Sequence, residues 1–124
     1  MHGPLLLDHF QNPRNAGTLP PPAVTVDVMN PICGDSLRLA VLWEAGVAHE
    51  VRFQARGCTA SIACASALTE LLVGRPLAEI RALTVVQMEE AVGGLINESK
   101  HAAVLCRDAV RALVAASSAA VSAQ

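Results

Sequence analysis

Residues 37–54, Leu-Arg-Leu-Ala-Val-Leu-Trp-Glu-Ala-Gly-Val-Ala-His-Glu-Val-Arg-Phe-Gln, decide how this chain folds. Leu37, Leu39, Val41 and Trp43 recur at a period of two, which puts them on one face of a strand. Glu44-Ala45-Gly46 is a short turn containing glycine. Beyond it Val47, Val51 and Phe53 continue the alternation, with Glu50, Arg52 and Gln54 on the opposite face. His49 falls on the Val51 side and is placed in or near the core. Upstream, Val24-Thr25-Val26-Asp27-Val28 alternates in the same way. Three such runs joined by short turns read as an antiparallel meander with one wet face.

The pattern changes on both sides of the meander. Toward the N-terminus, Pro4 suits a first helical turn, with Leu5, Leu6, Leu7 and Phe10 as a short apolar face. Asn12-Pro13-Arg14-Asn15-Ala16-Gly17 breaks that helix, and Pro20-Pro21-Pro22 forms a stiff, extended connector. His2 and His9 have no partner at ligand spacing and are read as surface residues. Toward the C-terminus, Ile62, Ala65, Leu68, Thr69 and Leu72 have helical spacing, stopped by Gly74 and Pro76. Leu77 to Leu83 is a short helix. Thr84-Val85-Val86-Gln87 fits a capping box opening a further helix, which Gly93-Gly94 closes. Asn97 is a candidate N-cap for a last helix to about Ser117, with Leu105, Ala109, Ala112, Leu113 and Ala116 inward. Strands first and helices after predict an α+β fold: a three-stranded antiparallel sheet with helices packed on one face. Residues 1–124 are read as a single domain, with an N-terminal segment (1–22), the sheet (23–56) and a helical part (58–118).

Composition narrows the function. At 124 residues and 52% hydrophobic, with mean hydropathy +0.41, the chain can bury one core, built mainly from Ala, Val and Leu. A net charge of −2, a pI near 6.0 and the lack of a basic run argue against nucleic acid and anionic membranes as partners. No window approaches the roughly 20 apolar residues of a membrane span, and Leu5 to Leu7 is too short for a secretory signal. The chain is therefore read as soluble and cytoplasmic, where four cysteines serve as thiols or ligands rather than disulfides.

Met29-Asn30-Pro31-Ile32-Cys33-Gly34-Asp35 joins the first two strands and sets a thiol two residues from a carboxylate. That pairing is unfavourable in the ionised forms unless a cation lies between them. The third strand returns to the same end of the sheet, so Cys58 arrives beside Cys33. Cys58 also precedes a helix start, where free N–H groups favour negative charge. His101, in the first turn of the last helix, supplies a possible fourth donor. Two thiolates, one carboxylate and one imidazole suit tetrahedral zinc or cluster iron, and suit Mg²⁺ or Ca²⁺ poorly. The set is dispersed, so a metal site and a pair of buried structural cysteines both remain open on spacing alone. Cys64 and Cys106 are assigned to core packing; Cys106 lies five residues past His101 and about 140° around the helix from it. Glu70, Glu89 and Glu90 are read as solvated helical charges.

With these residues in place, the chain resembles the IscU/NifU-type iron–sulfur cluster assembly scaffolds, including the zinc-containing SufU branch. The similarity runs from about Leu7 to Leu113. It is carried by Asn12-Pro13-Arg14-Asn15-Ala16-Gly17, Cys33-Gly34-Asp35, Gly57-Cys58-Thr59-Ala60-Ser61 leading to Leu68-Thr69-Glu70, and Lys100-His101 leading to Arg107-Asp108-Ala109. The resemblance implies a SufE/NifU-like fold and Cys33, Asp35, Cys58 and His101 as ligands of a transient iron–sulfur cluster or of zinc. It also implies a scaffold or carrier rather than an enzyme with its own turnover. Such a scaffold accepts sulfur as persulfide from a cysteine desulfurase, passes the cluster to apo iron–sulfur acceptor proteins and can form a homodimer.

The chain departs from the pattern in three places. Ala102 stands where the third family cysteine follows the histidine. Leu95-Ile96-Asn97-Glu98-Ser99-Lys100 replaces the Leu-Pro-Pro-Val-Lys segment that some members offer to a chaperone. The long insertion of the SufU branch is missing. Loss of the third cysteine implies a labile cluster, and opens two alternatives: a zinc-holding sulfur acceptor that stimulates a desulfurase, or a degenerate partner-binding relative.

Overall fold

A computed structural model describes residues 2–124. Strands β1 (Val24–Met29), β2 (Ser36–Glu44) and β3 (Val47–Arg56) form one antiparallel sheet in the order β1-β2-β3. Helix α1 (Pro4–Gln11) precedes the sheet; α2 (Thr59–Leu72), α3 (Leu77–Arg81), α4 (Val85–Glu90) and α5 (Lys100–Ser122) follow it. Helix α2 packs on β3 and α5 packs on β1 and β2, and the α+β layering of the sequence reading holds. Leu37, Leu39, Val41 and Trp43 all point into the core, as their alternation requires. The β2–β3 turn places Ala45 and Gly46 at φ 52° and 77°, the left-handed pair of residues that suits a tight hairpin.

The hairpin is irregular, and His49 lies outside the core rather than in it. The register shifts between Leu42 and Trp43, so that Leu42 opposes Glu50 but Trp43 opposes Ala48. One extra residue on β3 switches the alternation, so Ala48 becomes the buried residue and His49 turns outward to pair with Glu44 at 3.3 Å.

Helix α5 runs the length of the molecule. Its C-terminal end is tied to the hairpin, where Gly46 N–H donates to Gln124 Oε1 (2.7 Å) and Gln124 Nε2 donates to the Trp43 carbonyl (2.7 Å). Near the same end, the buried Trp43 indole N–H donates to Ser117 Oγ at 2.9 Å. Lys100 Nζ donates to Glu89 at 2.8 Å and fixes the start of α5 against α4, so Glu89 is partnered rather than simply solvated. With one end fixed at the hairpin, 23 residues at about 1.5 Å each carry the helix start to the opposite end of the sheet. The helix begins at Lys100, after a 3₁₀ turn at Asn97–Ser99, rather than being capped by Asn97. Its inner face also runs through Ala102, Ala103, Cys106, Val110 and Ser117, leaving Ala116 exposed.

The N-terminal segment differs most from the sequence reading. Helix α1 buries Leu6 and His9, while Leu5, Leu7 and Phe10 are 44%, 38% and 37% exposed. His9 Nδ1 lies 2.8 Å from Ser66 Oγ on α2, and its Nε2 is 3.4 Å from Glu70. Residues 12–17 stitch three elements together. Arg14 N–H donates to Ser66 Oγ (2.8 Å), Asn15 Nδ2 to Thr69 Oγ1 (3.0 Å), and Gly17 N–H to the Phe53 carbonyl (2.8 Å). Pro21 and Pro22 lie in a turn rather than an extended connector. The Thr84–Gln87 capping box forms as read from the sequence.

Candidate functional site

The loop between β1 and β2 is closed by its own hydrogen bonds. Asn30 Oδ1 accepts from Ile32 N–H at 2.9 Å and from Cys33 N–H at 3.4 Å. Gly34 N–H donates to the Asn30 carbonyl, and Asn30 N–H to the Asp35 carbonyl, both at 2.8 Å. Gly34 sits at φ 77°, a conformation glycine adopts without strain, and this reversal sets Cys33 and Asp35 on either side of it. Cys33 is exposed, and Ile32 beside it is 95% exposed.

Asp35 points the other way and is 7% exposed. It packs against the junction of β3 and α2. A Cβ on Gly57 would lie 2.5 and 2.8 Å from the two carboxylate oxygens, so only glycine leaves room there. Ser61 Oγ donates to Asp35 Oδ2 at 2.6 Å, and His101 Nε2 is 3.3 Å from the same oxygen. Burial pushes the Asp35 carboxyl up, but the Ser61 and Cys58 hydrogen bonds and the nearby His101 outweigh it, holding Asp35 below the usual carboxylate range.

Cys58 is the N-cap of α2: its Sγ accepts from Ser61 N–H at 3.4 Å, satisfying one of the free donors of the first turn. Sulfur is an uncommon cap, and this one remains exposed. The same Sγ lies 3.4 Å from His101 Nε2 and 3.3 Å from Ser61 Oγ.

The side chains singled out in the sequence therefore meet at one end of the sheet. Donor atoms of Cys33, Asp35 and His101 all lie within 4.8 Å of one another. Cys58 stands just outside that mutually close trio and touches it through the imidazole. Ordinary metal–ligand bonds of about 2.0–2.3 Å put ligand atoms of one ion roughly 3.3–3.8 Å apart, so a small closure about a cation is compatible with this spacing. Two soft sulfurs, one imidazole and one carboxylate suit zinc or iron. Ser61 and Gly57 had no assigned role at the site from sequence, because the carboxylate they cradle is more than twenty residues away in the chain.

Cys64 and Cys106 are packed in the core rather than turned to this site. Burial, with lesser contributions from Cys58 and Glu89, pushes the Cys64 thiol up to about 12, and burial raises Cys106 well above its ordinary value. Both stay protonated and are poor ligands as placed. Ala102 is fully buried one residue past His101. Among the described residues, no helix is long and apolar enough to cross a membrane.

Comparison with known proteins adds four findings. Residues 3–122 match the family model described as the NifU-like N terminal domain. The chain is 35% identical over 111 residues to the iron-sulfur cluster assembly scaffold protein IscU 1 of Archaeoglobus fulgidus, covering 90% of this chain and 72% of that protein. It is 36% identical over 73 residues to the zinc-dependent sulfurtransferase SufU of Bacillus subtilis, covering 59% of this chain and 49% of that one. The crystal structure of a nitrogen-fixing NifU-like protein (N-terminal) from Brucella abortus superposes with a TM-score of 0.62 at 20% identity. That superposition covers 96% of this chain and 84% of the other, and it speaks to the fold alone.

Proposed function

The chain belongs to the NifU-like N terminal domain family, and on that premise we propose that it is a scaffold on which iron–sulfur clusters are assembled. Its cargo is iron and sulfide. Cys33, Asp35, Cys58 and His101 are its ligands, sulfur comes from a cysteine desulfurase, and the product goes to apo iron–sulfur proteins. The observation that carries this reading is the convergence of Cys33, Asp35 and His101 within 4.8 Å, with Cys58 3.4 Å from the same imidazole.

The arrangement also suits a carrier that must let go. Cys33 sits on a loop and is exposed, so an incoming sulfur donor can reach it. Asp35 and His101 are harder ligands than thiolate and hold a cluster iron less tightly. With Ala102 in place of a third thiol, the cluster has fewer sulfur ligands and is labile. Cys106 reaches the site only if α5 slides or unwinds by about one turn, roughly 5.4 Å. Anaerobic incubation with iron, cysteine and a desulfurase is expected to give visible absorption bands that disappear in Cys58→Ala. No iron uptake by the parent chain would overturn the reading.

A second reading is favoured by Ala102 together with the likeness to a zinc-dependent sulfurtransferase. Two thiolates, one carboxylate and one imidazole complete a four-ligand zinc site without a third cysteine. Zinc would there hold the thiolates deprotonated. Cys33, released from it, would attack the outer sulfur of the desulfurase persulfide, and the desulfurase thiolate would leave. Tight zinc in the purified protein and faster desulfurase turnover with no cluster formed would select this reading over the first.

A further inference from the structure

We propose that Ser61 is the positioning residue of this site, orienting Asp35 toward the bound ion through the hydroxyl it places on Oδ2. The inference rests on the reading of Cys33, Asp35, Cys58 and His101 as the ligand set.

Ser61 is 1% exposed, so its hydroxyl has no access to solvent and must find its partners inside the protein. Two atoms are in reach: Asp35 Oδ2 at 2.6 Å and Cys58 Sγ at 3.3 Å. A hydroxyl has one proton. The shorter, charge-assisted bond to the carboxylate takes it, because such bonds are roughly twice as strong as neutral ones. The Oγ–Sγ contact can then only be a donation from the Cys58 thiol, which has no proton to give once the sulfur ligates as thiolate, and the separate bond from Ser61 N–H to Sγ survives a serine-to-alanine change. Ser61 therefore acts on the site through Asp35.

Its effect is directional. Gly57 lets the carboxylate lie flat against the β3–α2 junction, with Oδ1 nearest the glycine, and Ser61 engages Oδ2. Oδ2 is also the oxygen 3.3 Å from His101 Nε2, so the hydroxyl fixes the edge of the carboxylate that faces the imidazole. The hydroxyl also stabilises the carboxylate when no ion is present, and it belongs to the helix whose N-cap is Cys58, which ties the two ligands to one rigid element.

The test is a double-mutant cycle on metal binding. Zn²⁺ affinity, measured by competition with a chromophoric chelator, and the visible absorption of the Co²⁺ form are compared in the parent, Ser61→Ala, Asp35→Ala and the double variant. Ser61→Ala is expected to weaken Zn²⁺ by about 10- to 100-fold and to shift the Co²⁺ bands. In the Asp35→Ala background it is expected to change neither, because the group it positions is gone. Parental affinity and spectrum in Ser61→Ala, or an equal loss in both backgrounds, would overturn the proposal. Failure of the parent to take up either ion would overturn the ligand reading itself, and the Ser61 role with it.

Discussion

Replacing Gly57 by alanine separates backbone strain from damage to the site. Gly57 has φ 144°, a region that costs a non-glycine residue about 1–3 kcal/mol. Its added Cβ would also lie 2.5 Å from one Asp35 oxygen, where ordinary contact begins at 3.4 Å. The carboxylate must therefore retreat by about 0.9 Å, a displacement of the size that costs an aligned site on the order of a hundredfold. Gly74 supplies the control: it has φ 84°, lies beyond α2, and has nothing within 4 Å of an added Cβ. Both Gly57→Ala and Gly74→Ala are expected to lose about 1–3 kcal/mol in urea denaturation. Only Gly57→Ala is expected to weaken Zn²⁺ binding, by about 10- to 100-fold in a chelator competition titration. Equal metal affinity in the two variants would refute the claim that Gly57 exists to admit the Asp35 carboxylate.

Other perturbations read out different parts of the fold. Ser117→Ala leaves the buried Trp43 indole N–H without an acceptor and should cost about 1–3 kcal/mol, seen as a lower urea midpoint at unchanged slope. Burial, seconded by Arg14, holds the His9 imidazole below its ordinary value against the opposing pull of Glu70 and Asp8. As pH falls below about 6.5 the unfolded chain takes up that proton before the folded one, so His9 lowers stability progressively until pH passes its folded pKa. Urea midpoints between pH 7 and 5 should fall less in His9→Gln than in the parent; parallel curves would refute this. Ala102→Cys restores a thiol next to His101 and should slow the loss of a reconstituted cluster to a chelator; an unchanged rate would mean that position 102 does not face the site.

What the sequence made legible was whatever depends on near neighbours. The face of β2 followed from Leu37, Leu39, Val41 and Trp43, because strand periodicity is a local property. The Thr84–Gln87 cap is equally local, closing over three residues. His49 was misplaced because a bulge changes the phase of a strand, and the shift at Leu42/Trp43 is set by how the hairpin closes. His9 read as a surface residue because its partner Ser66 lies 57 positions away and only the docking of α1 on α2 joins them. The convergence of Cys33 with the β3–α2 junction followed from the meander alone. Ser61 did not, since a serine in the first turn of a helix is ordinary until the carboxylate opposite it is placed.

The central claim is that sulfur from two loops, one carboxylate and one imidazole surround a common ion. X-ray absorption at the zinc edge of the zinc-loaded protein counts those ligands directly. The account requires a first shell of two sulfurs and two lighter atoms, falling to one sulfur in either Cys33→Ser or Cys58→Ser. A shell without sulfur, or a sulfur count indifferent to Cys33, would contradict it.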